Sequence, residues 1–263
     1  MDIIVCVKQV PDVTDAELEI SPDGTDIEKD DLEMSINEWD NYAVEEAVRI
    51  KEALGGKVTV VSLGDEDSED VLRRALAMGA DDAILVDNEG FEGSDAVGIT
   101  RGLLKAIGNR NFDLLLTGVQ SSDDNWAQVG LLMAGWLNLP FASLAVKIEP
   151  KGEKILVHRE LESNTLEQVE LDTPAAITVQ TGINEPRYVS IMGIRRVRRI
   201  EIQHSSAEDL GLDVNEIGAK GSSIAKVSLS LPEEGEGAEI LTGTMDDICE
   251  KAARIIRDRG GVA

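Results

Sequence analysis

Short apolar segments alternate with helix-forming segments over the first 117 residues of the chain. The segment DIIVCV, at positions 2–7, is apolar almost throughout, which is typical of a parallel strand covered on both faces. A helix is predicted from Asn37 to about Leu54, because apolar residues recur there at helical spacing before two glycines. The other elements predicted here are strands over 58–63, 83–86 and 112–117, a helix over 68–78, and a helix capped by Ser94 that ends near 107. Joined by short links, these elements predict a doubly wound α/β sheet with right-handed crossovers.

The pattern changes after Gly118, where the polar loop VQSSDDN precedes a helix predicted over about 126–137. Four further strands are predicted over 141–148, 154–160, 166–171 and 175–179. Turn residues border the middle two of these strands, at Glu153-Lys154 and Ser163-Asn164. We therefore expect an antiparallel ribbon added to the sheet.

The composition shifts again at His204, so we predict an α/β domain over 1–203 and a C-terminal arm over 204–263. The arm is expected to contain a short strand (KVSLSL, 226–231), an acidic glycine-rich linker (PEEGEGAE, 232–239) and a helix capped by Thr244. One face of that helix carries an apolar stripe of Met245, Ile248, Ala252, Ile255 and Ile256. The stripe either folds back on its own domain or lies across a partner. The predicted fold class is α/β, a doubly wound and mostly parallel sheet with an added antiparallel ribbon and a C-terminal arm.

The chain is strongly acidic, with 51 Asp and Glu against 25 Lys and Arg and a formal net charge of -26. Nucleic acid and anionic membrane surfaces are therefore excluded as expected partners, although a solubility or salt adaptation explains the charge equally well. No apolar run reaches the roughly 18 residues that a membrane span needs. The two cysteines form no CxxC pair, and we expect a cytoplasmic or similarly reducing location.

Ligands in open α/β sheets bind beyond the carboxyl ends of the strands. Four segments are expected to converge there, namely Cys6 to Lys8, Asn37 to Asp40, Leu63-Gly64 and Gly118 to Gln128. The last segment suits phosphate best, because a loop that enters a helix offers unpaired N–H groups and a positive dipole end. Ser121, Ser122 and Gln128 add polar donors. We expect either Asp123 or Asp124 to cap the helix and the other to accept from a ribose hydroxyl or hold water.

Residues for acid–base or nucleophilic catalysis are not arranged in any recognisable pattern. His158 and His204 are the only histidines, and neither has a nucleophile or a metal-ligand spacing nearby. No dinucleotide fingerprint or P-loop motif is present either. The chain is predicted to bind a nucleotide and a protein partner, with no catalytic residue and no metal of its own.

A basic cluster interrupts this acidic chain between Asn184 and Ile202, where the sequence reads NEPRYVSIMGIRRVRRIEI. Four arginines occupy positions 195, 196, 198 and 199, directly after the apolar run Ile191-Met192-Gly193-Ile194. The turn from Asn184 to Tyr188 is expected to serve as a scaffold. The rest is either a surface turn before an edge strand with solvated arginines, or a docking element for another protein.

Several segments together resemble the beta subunit of electron-transfer flavoprotein, in order and over nearly the whole chain. They are VCVKQVPD, SINEWDNYAVEEAVRIKE, TVVSLG, LRRALAMGADDAILV, DLLLTGVQSSDDNWAQVG, HRELESNTLEQVELDTPAAITVQTGINEPRY and IRRVRRIEI. The resemblance implies a sheet of the adenine-nucleotide-binding type and a heterodimer. An alpha subunit would carry an electron-shuttling FAD on a mobile domain, and this chain would support it while holding AMP.

The resemblance also assigns roles to individual residues. It implies cofactor binding by Cys6, Asn37, Glu38, Trp39, Asp40, Leu63, Gly118, Val119, Gln120, Ser121, Ser122, Asp123, Asp124, Asn125, Trp126, Ala127, Gln128 and Val129. The family's recognition loop for acyl-CoA dehydrogenase partners falls on Ser190, Ile191, Met192, Gly193 and Ile194, with Ile191 as the anchor. The arm would wrap the alpha subunit.

Two alternatives stay open at this point. Some beta chains of the family hold a second FAD that takes hydride from NADH and bifurcates its electrons. The run AQVG at 127–130 resembles that group, whereas Asp124, where that group has glycine, favours AMP. A stand-alone, stress-type nucleotide-binding module is the other alternative, and it would be a stable monomer.

Overall fold

A nine-stranded sheet forms the centre of the computed structural model, which describes residues 1–232 and 237–260. The strands are β1 (Ile3–Cys6), β2 (Gln9–Pro11), β3 (Met34–Ile36), β4 (Val58–Gly64), β5 (Asp82–Asp87), β6 (Leu114–Gly118), β7 (Phe141–Lys151), β8 (Lys154–Leu161), β9 (Thr165–Asp172), β10 (Ala175–Val179) and β11 (Ile202–Ser205). The helices are α1 (Glu38–Leu54), α2 (Glu69–Met78), α3 (Ala96–Ile107), α4 (Val129–Trp136), α5 (Ile191–Val197), α6 (Gly218–Gly221) and α7 (Met245–Asp258). No helix in these described ranges is both long and apolar enough to span a membrane.

The order of the strands confirms the predicted fold class. It runs β11-β5-β4-β1-β6-β10-β7-β8-β9, and the first seven strands are parallel. Strands β8 and β9 continue from β7 as the predicted antiparallel ribbon. Strands β2 and β3 form a separate antiparallel pair.

Both faces of the parallel sheet are covered by helices, and this explains why its strands are apolar throughout. Ile3 and Val5 of β1 point into the core that α1 and α2 cover. Ile4 and Cys6 point into the opposite core, under α3 and α4. All four side chains are buried.

The chain changes direction between β1 and β6, which are neighbours at the middle of the sheet. From β1 it continues outward to β4 and β5, whereas from β6 it continues to the other half of the sheet. Connections that diverge in this way leave a crevice at the carboxyl ends of the two strands. The candidate site lies in that crevice.

The arginine cluster lies on helix α5 and the residues directly after it, so the surface turn or strand edge expected for these arginines is wrong, whereas the edge strand expected after them is present. Ser190 caps this helix, its hydroxyl accepting from the N–H of Gly193 at 3.1 Å. Arg73 of α2 donates to the carbonyls of Val197 and Ile200, and so provides hydrogen-bond donors for backbone acceptors at the end of the helix and just after it. The edge of the sheet is occupied by β11, which follows α5.

Two predicted helix starts also need correction. Asp95, and not Ser94, caps α3, since its carboxylate accepts from the N–H groups of Val97 and Gly98 at 3.0 and 3.1 Å. Helix α4 begins at Val129, and not near 126, because Asn125 and Ala127 both have a φ of 53°. A left-handed backbone cannot continue a right-handed helix.

The arm differs most from its prediction. Strand β11 crosses the expected boundary between 203 and 204, and Ala207 and Ile217 beyond it are buried against the main core. KVSLSL is not a strand, because no neighbouring strand pairs with it in the described chain. The predicted linker at 232–239 lies partly outside the described residues. Helix α7 does form, with the predicted Thr244 cap completed by Asp247 as a capping box.

Residues 184–187 tie the segment before α5 to α1. The Asn184 amide donates to the Tyr42 carbonyl at 3.1 Å and to the Glu46 carboxylate at 3.0 Å. The Arg187 guanidinium donates to Glu45 at 2.8 Å and to Glu52 at 2.7 Å. The Glu45 side chain is only 4% exposed, so it needs cation partners; Arg187 is the closer of two, since the Arg49 guanidinium lies 3.6 Å away.

We predict that Arg187→Ala lowers the free energy of unfolding by about 3 kcal/mol, because it leaves the Glu45 carboxylate buried without its closest cation. Urea unfolding of the purified chain measures this change. The double variant Arg187→Ala/Glu45→Gln should recover at least half of the loss. A loss below about 0.5 kcal/mol in the single variant would show that Glu45 does not depend on Arg187.

Candidate functional site

A cleft at the carboxyl ends of β1, β4 and β6 brings the four predicted segments together. It encloses about 160 Å³ and opens to solvent. The predicted cofactor residues that line it are Cys6, Asn37, Asp40, Leu63, Gly118, Val119, Gln120, Ser121, Asp124, Trp126, Ala127, Gln128 and Val129. Glu38, Trp39, Ser122, Asp123 and Asn125 lie outside this lining.

Asp40 joins the two central strands at the base of the cleft. Its buried carboxylate accepts from the N–H of Lys8 at 2.8 Å and from the N–H of Gly118 at 2.9 Å. Gly118 must stay without a side chain, since a Cβ there would lie 2.4 Å from the Asp40 carboxylate. Burial raises the pKa of Asp40 to about 7, although the N–H group of Lys8, the Asn37 side chain and the N–H group of Gly118 lower it.

Asn37 holds one side of the cleft in place, and Trp39 anchors α1 nearby. The Asn37 amide donates to the Gln120 carbonyl at 2.8 Å, and its oxygen accepts from the N–H of Ser122 at 3.2 Å. The Trp39 indole N–H donates to Gln180 at 2.9 Å. The two Asn37 contacts fix the loop after β6 onto the start of α1, and the Trp39 contact joins α1 to the residue after β10.

Several apolar side chains line the cleft and suit contact with a flat ring. Leu63, Leu103 and Trp126 are among them, together with Cys6 at the end of β1. The Cys6 thiol lies 3.7 Å from the sulfur of Met133. Burial, followed by the charge of Asp40, raises the pKa of Cys6, so this thiol stays protonated and acts as a small apolar group.

The pair Asp123 and Asp124 binds Lys8, and the predicted capping role for one of them is wrong. The Lys8 ammonium contacts both carboxylates at 2.7 Å. Burial alone would lower the pKa of Lys8, but the charges of Asp124 and Asp123 raise it above its usual value. For Asp123, partial burial acts in the opposite direction and raises the pKa. The nearby Lys8 ammonium outweighs this effect and holds the pKa of Asp123 below its ordinary range.

The start of α4 places backbone N–H groups at the lining of the cleft. The first N–H groups of a helix have no partner within it, and α4 begins at Val129. Gly130 lets the backbone pack closely, since a Cβ there would lie 2.3 Å from the Thr117 hydroxyl. Backbone N–H groups with the hydroxyl of Ser121 and the amide of Gln128 can hold a phosphate or a ribose.

Sequence reasoning missed several lining residues. They are Ser94, Ile99, Leu103, Thr117 and Gly130. Val7 and Lys8 also line the cleft, as expected from the first predicted segment. The residues from α3 could not be found in this way, because only packing brings the start of that helix over the cleft.

The predicted recognition residues lie outside the cleft, on the first turns of α5. The side chains of Ile191 and Met192 are each 70% exposed. Ser190 is the helix cap described above, while Gly193 and Ile194 are half-buried. The arginines at 195, 196, 198 and 199 extend this exposed surface along the helix and the turn that follows.

Comparison with known proteins agrees with this geometry. A family model described as electron transfer flavoprotein domain matches residues 25–210. The chain is 39% identical to the electron transfer flavoprotein subunit beta of Methylophilus methylotrophus, covering 98% of this chain and 97% of that one. It is 38% identical to the subunit of the same name from Thermoanaerobacterium thermosaccharolyticum, covering 98% and 99%. It is also 34% identical to the acryloyl-CoA reductase electron transfer subunit gamma of Anaerotignum propionicum, covering 95% and 97%.

The raised pKa of Asp40 predicts a specific pH dependence of stability. Between pH 4 and 7 the unfolded chain releases the Asp40 proton and the folded chain keeps it, so the contribution of Asp40 to stability falls as the pH rises. The unfolding free energy of the natural chain minus that of Asp40→Asn should fall by up to about 1.4 kcal/mol per pH unit, and level off above pH 7. Urea unfolding at each pH measures it. A difference that stays constant or increases would contradict the assignment.

Proposed function

The chain belongs to the electron transfer flavoprotein family as a beta-subunit chain, and from that premise we propose that it holds AMP in the cleft and supports the FAD of an alpha subunit. The observation that carries this proposal is the convergence of apolar side chains and backbone N–H groups at the switch point of the sheet.

The residues of the cleft fit an adenine nucleotide. Leu63, Leu103 and Trp126 would contact the base. Ser121 and Gln128 would hold the ribose or the phosphate, and the N–H groups at the start of α4 would bind phosphate oxygens. Lys8 balances part of the negative charge of Asp123 and Asp124 in the same place.

The role of this chain is to bind and to position. The Asp40 carboxylate is occupied by two backbone donors, and the Cys6 thiol is kept protonated, so neither is available as a base or a nucleophile. FAD, bound in the alpha subunit, supplies the electron-carrying ring. AMP is a structural ligand, which completes the cleft and orders the loop after β6.

Two surfaces are proposed for partners. Helix α5 presents Ile191 and Met192 to a redox partner of the acyl-CoA dehydrogenase type, with its arginines at the rim. The arm (204–263) packs on the alpha subunit through its described residues from 223 onward. Helix α7 has no buried residue, yet it carries apolar side chains such as Met245 (74% exposed) and Ile256 (50% exposed). Such a stripe is stable when another protein covers it.

A second FAD in the cleft is the alternative function. The run AQVG at 127–130, which lines the cleft, favours it because this run resembles the chains of the family that hold a second FAD. In this alternative the FAD of this chain accepts hydride from NADH and divides its electrons between two acceptors.

We predict that the denatured complex of this chain with its alpha subunit releases one FAD and one AMP. Chromatography of the released nucleotides measures the ratio. Two FAD without AMP, together with rapid reduction of flavin after mixing with NADH, would establish the alternative. A stable monomer without a bound nucleotide would instead indicate a stand-alone module.

We predict that Ile191→Ala slows electron transfer to the dehydrogenase partner about tenfold, because removing an exposed anchor typically costs 1–2 kcal/mol of docking energy. Stopped-flow kinetics at limiting partner concentration measure the change. Val214→Ala, which also truncates an exposed β-branched side chain (62% exposed), is the control and should have no effect. Loss of the heterodimer in Ile191→Ala would place α5 in the subunit interface and contradict the docking role.

A further inference from the structure

Four charged side chains meet at the mouth of the cleft, and one of them comes from the arm. Lys8, Asp123 and Asp124 form the ion pairs described above, which together carry a net charge of -1. The fourth is Lys226, whose ammonium lies 3.6 Å from the second carboxylate oxygen of Asp124. With Lys226 in place, the four side chains carry no net charge.

The backbone of the arm brings Lys226 to this position. Ser222 accepts from the N–H of Asp95 at 2.7 Å, and the N–H of Ser223 donates to the Asp95 carboxylate at 2.8 Å. Asp95 caps α3, and its neighbour Ser94 lines the cleft. Six residues later, the N–H of Leu229 donates to the Gly24 carbonyl at 2.7 Å. Residues 222–229 therefore run between two fixed points, and Lys226 lies midway between them.

The charge at the mouth matters because the ligand that we propose is an anion. The chain as a whole carries -26, and any uncompensated carboxylate at the entrance repels a phosphate group. The Asp124 side chain is only 18% exposed, so solvent screens its charge poorly. Lys8 is shared between two carboxylates, and a second cation is needed to balance both.

We propose that Lys226 is a positioning residue of the nucleotide site, which neutralises Asp124 and so allows a phosphate-bearing nucleotide to bind. The inference rests on the proposed function of the cleft. When the arm is seated, Lys226 lies beside Asp124 and binding of the anion becomes more favourable. By thermodynamic linkage, binding of the anion stabilises the seated arm by the same amount. The arm thereby links occupation of the cleft to the surface that meets the alpha subunit.

Comparison of AMP with adenosine tests this role, since the two differ only in the phosphate. The complex with the alpha subunit is stripped of AMP, and the dissociation constants of both probes are measured by calorimetry at low salt. Lys226→Glu should weaken AMP at least fivefold and change adenosine less than twofold. Lys220→Glu makes the same charge change at an exposed position of the arm, and it should alter neither. At 0.5 M salt the effect of Lys226→Glu on AMP should shrink, because the Debye length falls to about 4 Å.

Equal weakening of AMP and adenosine would overturn the proposal, since it would show that the arm acts only as a mechanical cover. An unchanged affinity for AMP would overturn it as well. Lys226→Gln provides a second variant if the charge reversal prevents assembly, and it should weaken AMP by a smaller factor in the same direction. If the wild-type complex contains two FAD and binds no AMP, the AMP assignment fails. In that case the Lys226→Glu complex should release its second FAD at a higher rate than the Lys220→Glu complex. Equal rates of release would overturn the role of Lys226.

Discussion

The Asp40 carboxylate is the interaction on which the candidate site depends. It accepts one N–H from the end of β1 and one from the end of β6, and it belongs to the first turn of α1. Two neighbouring strands and a helix are thereby joined where the connections of the sheet diverge. Burying a carboxylate is unfavourable, as its raised pKa shows, yet both N–H groups would otherwise be left without an acceptor. At this point the ends of the strands and the helix are joined by the hydrogen bonds of Asp40 and not by apolar packing, and the cleft lies beside this junction.

Local pairing of charges lets so acidic a chain form a compact domain. Glu45 is held by Arg187, and Asp123 with Asp124 is held by Lys8. Because the chain has few basic residues, the position of each one indicates which carboxylates are buried. At the mouth of the cleft the balance extends to Lys226 of the arm, which connects nucleotide binding with the segment proposed to contact the alpha subunit.

Long, regular elements were predictable from the chain, whereas short and mixed ones were not. The parallel strands, α1 and the antiparallel ribbon follow from continuous apolar runs, helical spacing and turn residues. Helix α5 (Ile191–Val197) was not predicted because its apolar run is too short to show a helical spacing, and the Ser190 cap stabilises it. KVSLSL has the alternation of a strand but no neighbouring strand to pair with in the described chain, and an isolated strand cannot satisfy its backbone groups.

The amino-acid sequence by itself determined the doubly wound sheet and the four segments that meet at its switch point, because periodicity and chain order dictate which strand ends share an edge. Only the tertiary structure decided what each polar residue does there. Asn37 braces one side of the cleft, Trp39 anchors α1 nearby, Asp123 and Asp124 bind Lys8, and residues of α3 and the arm join the site from distant parts of the chain. The partner of a side chain is set by distances in space, which the spacing of residues along the chain does not specify.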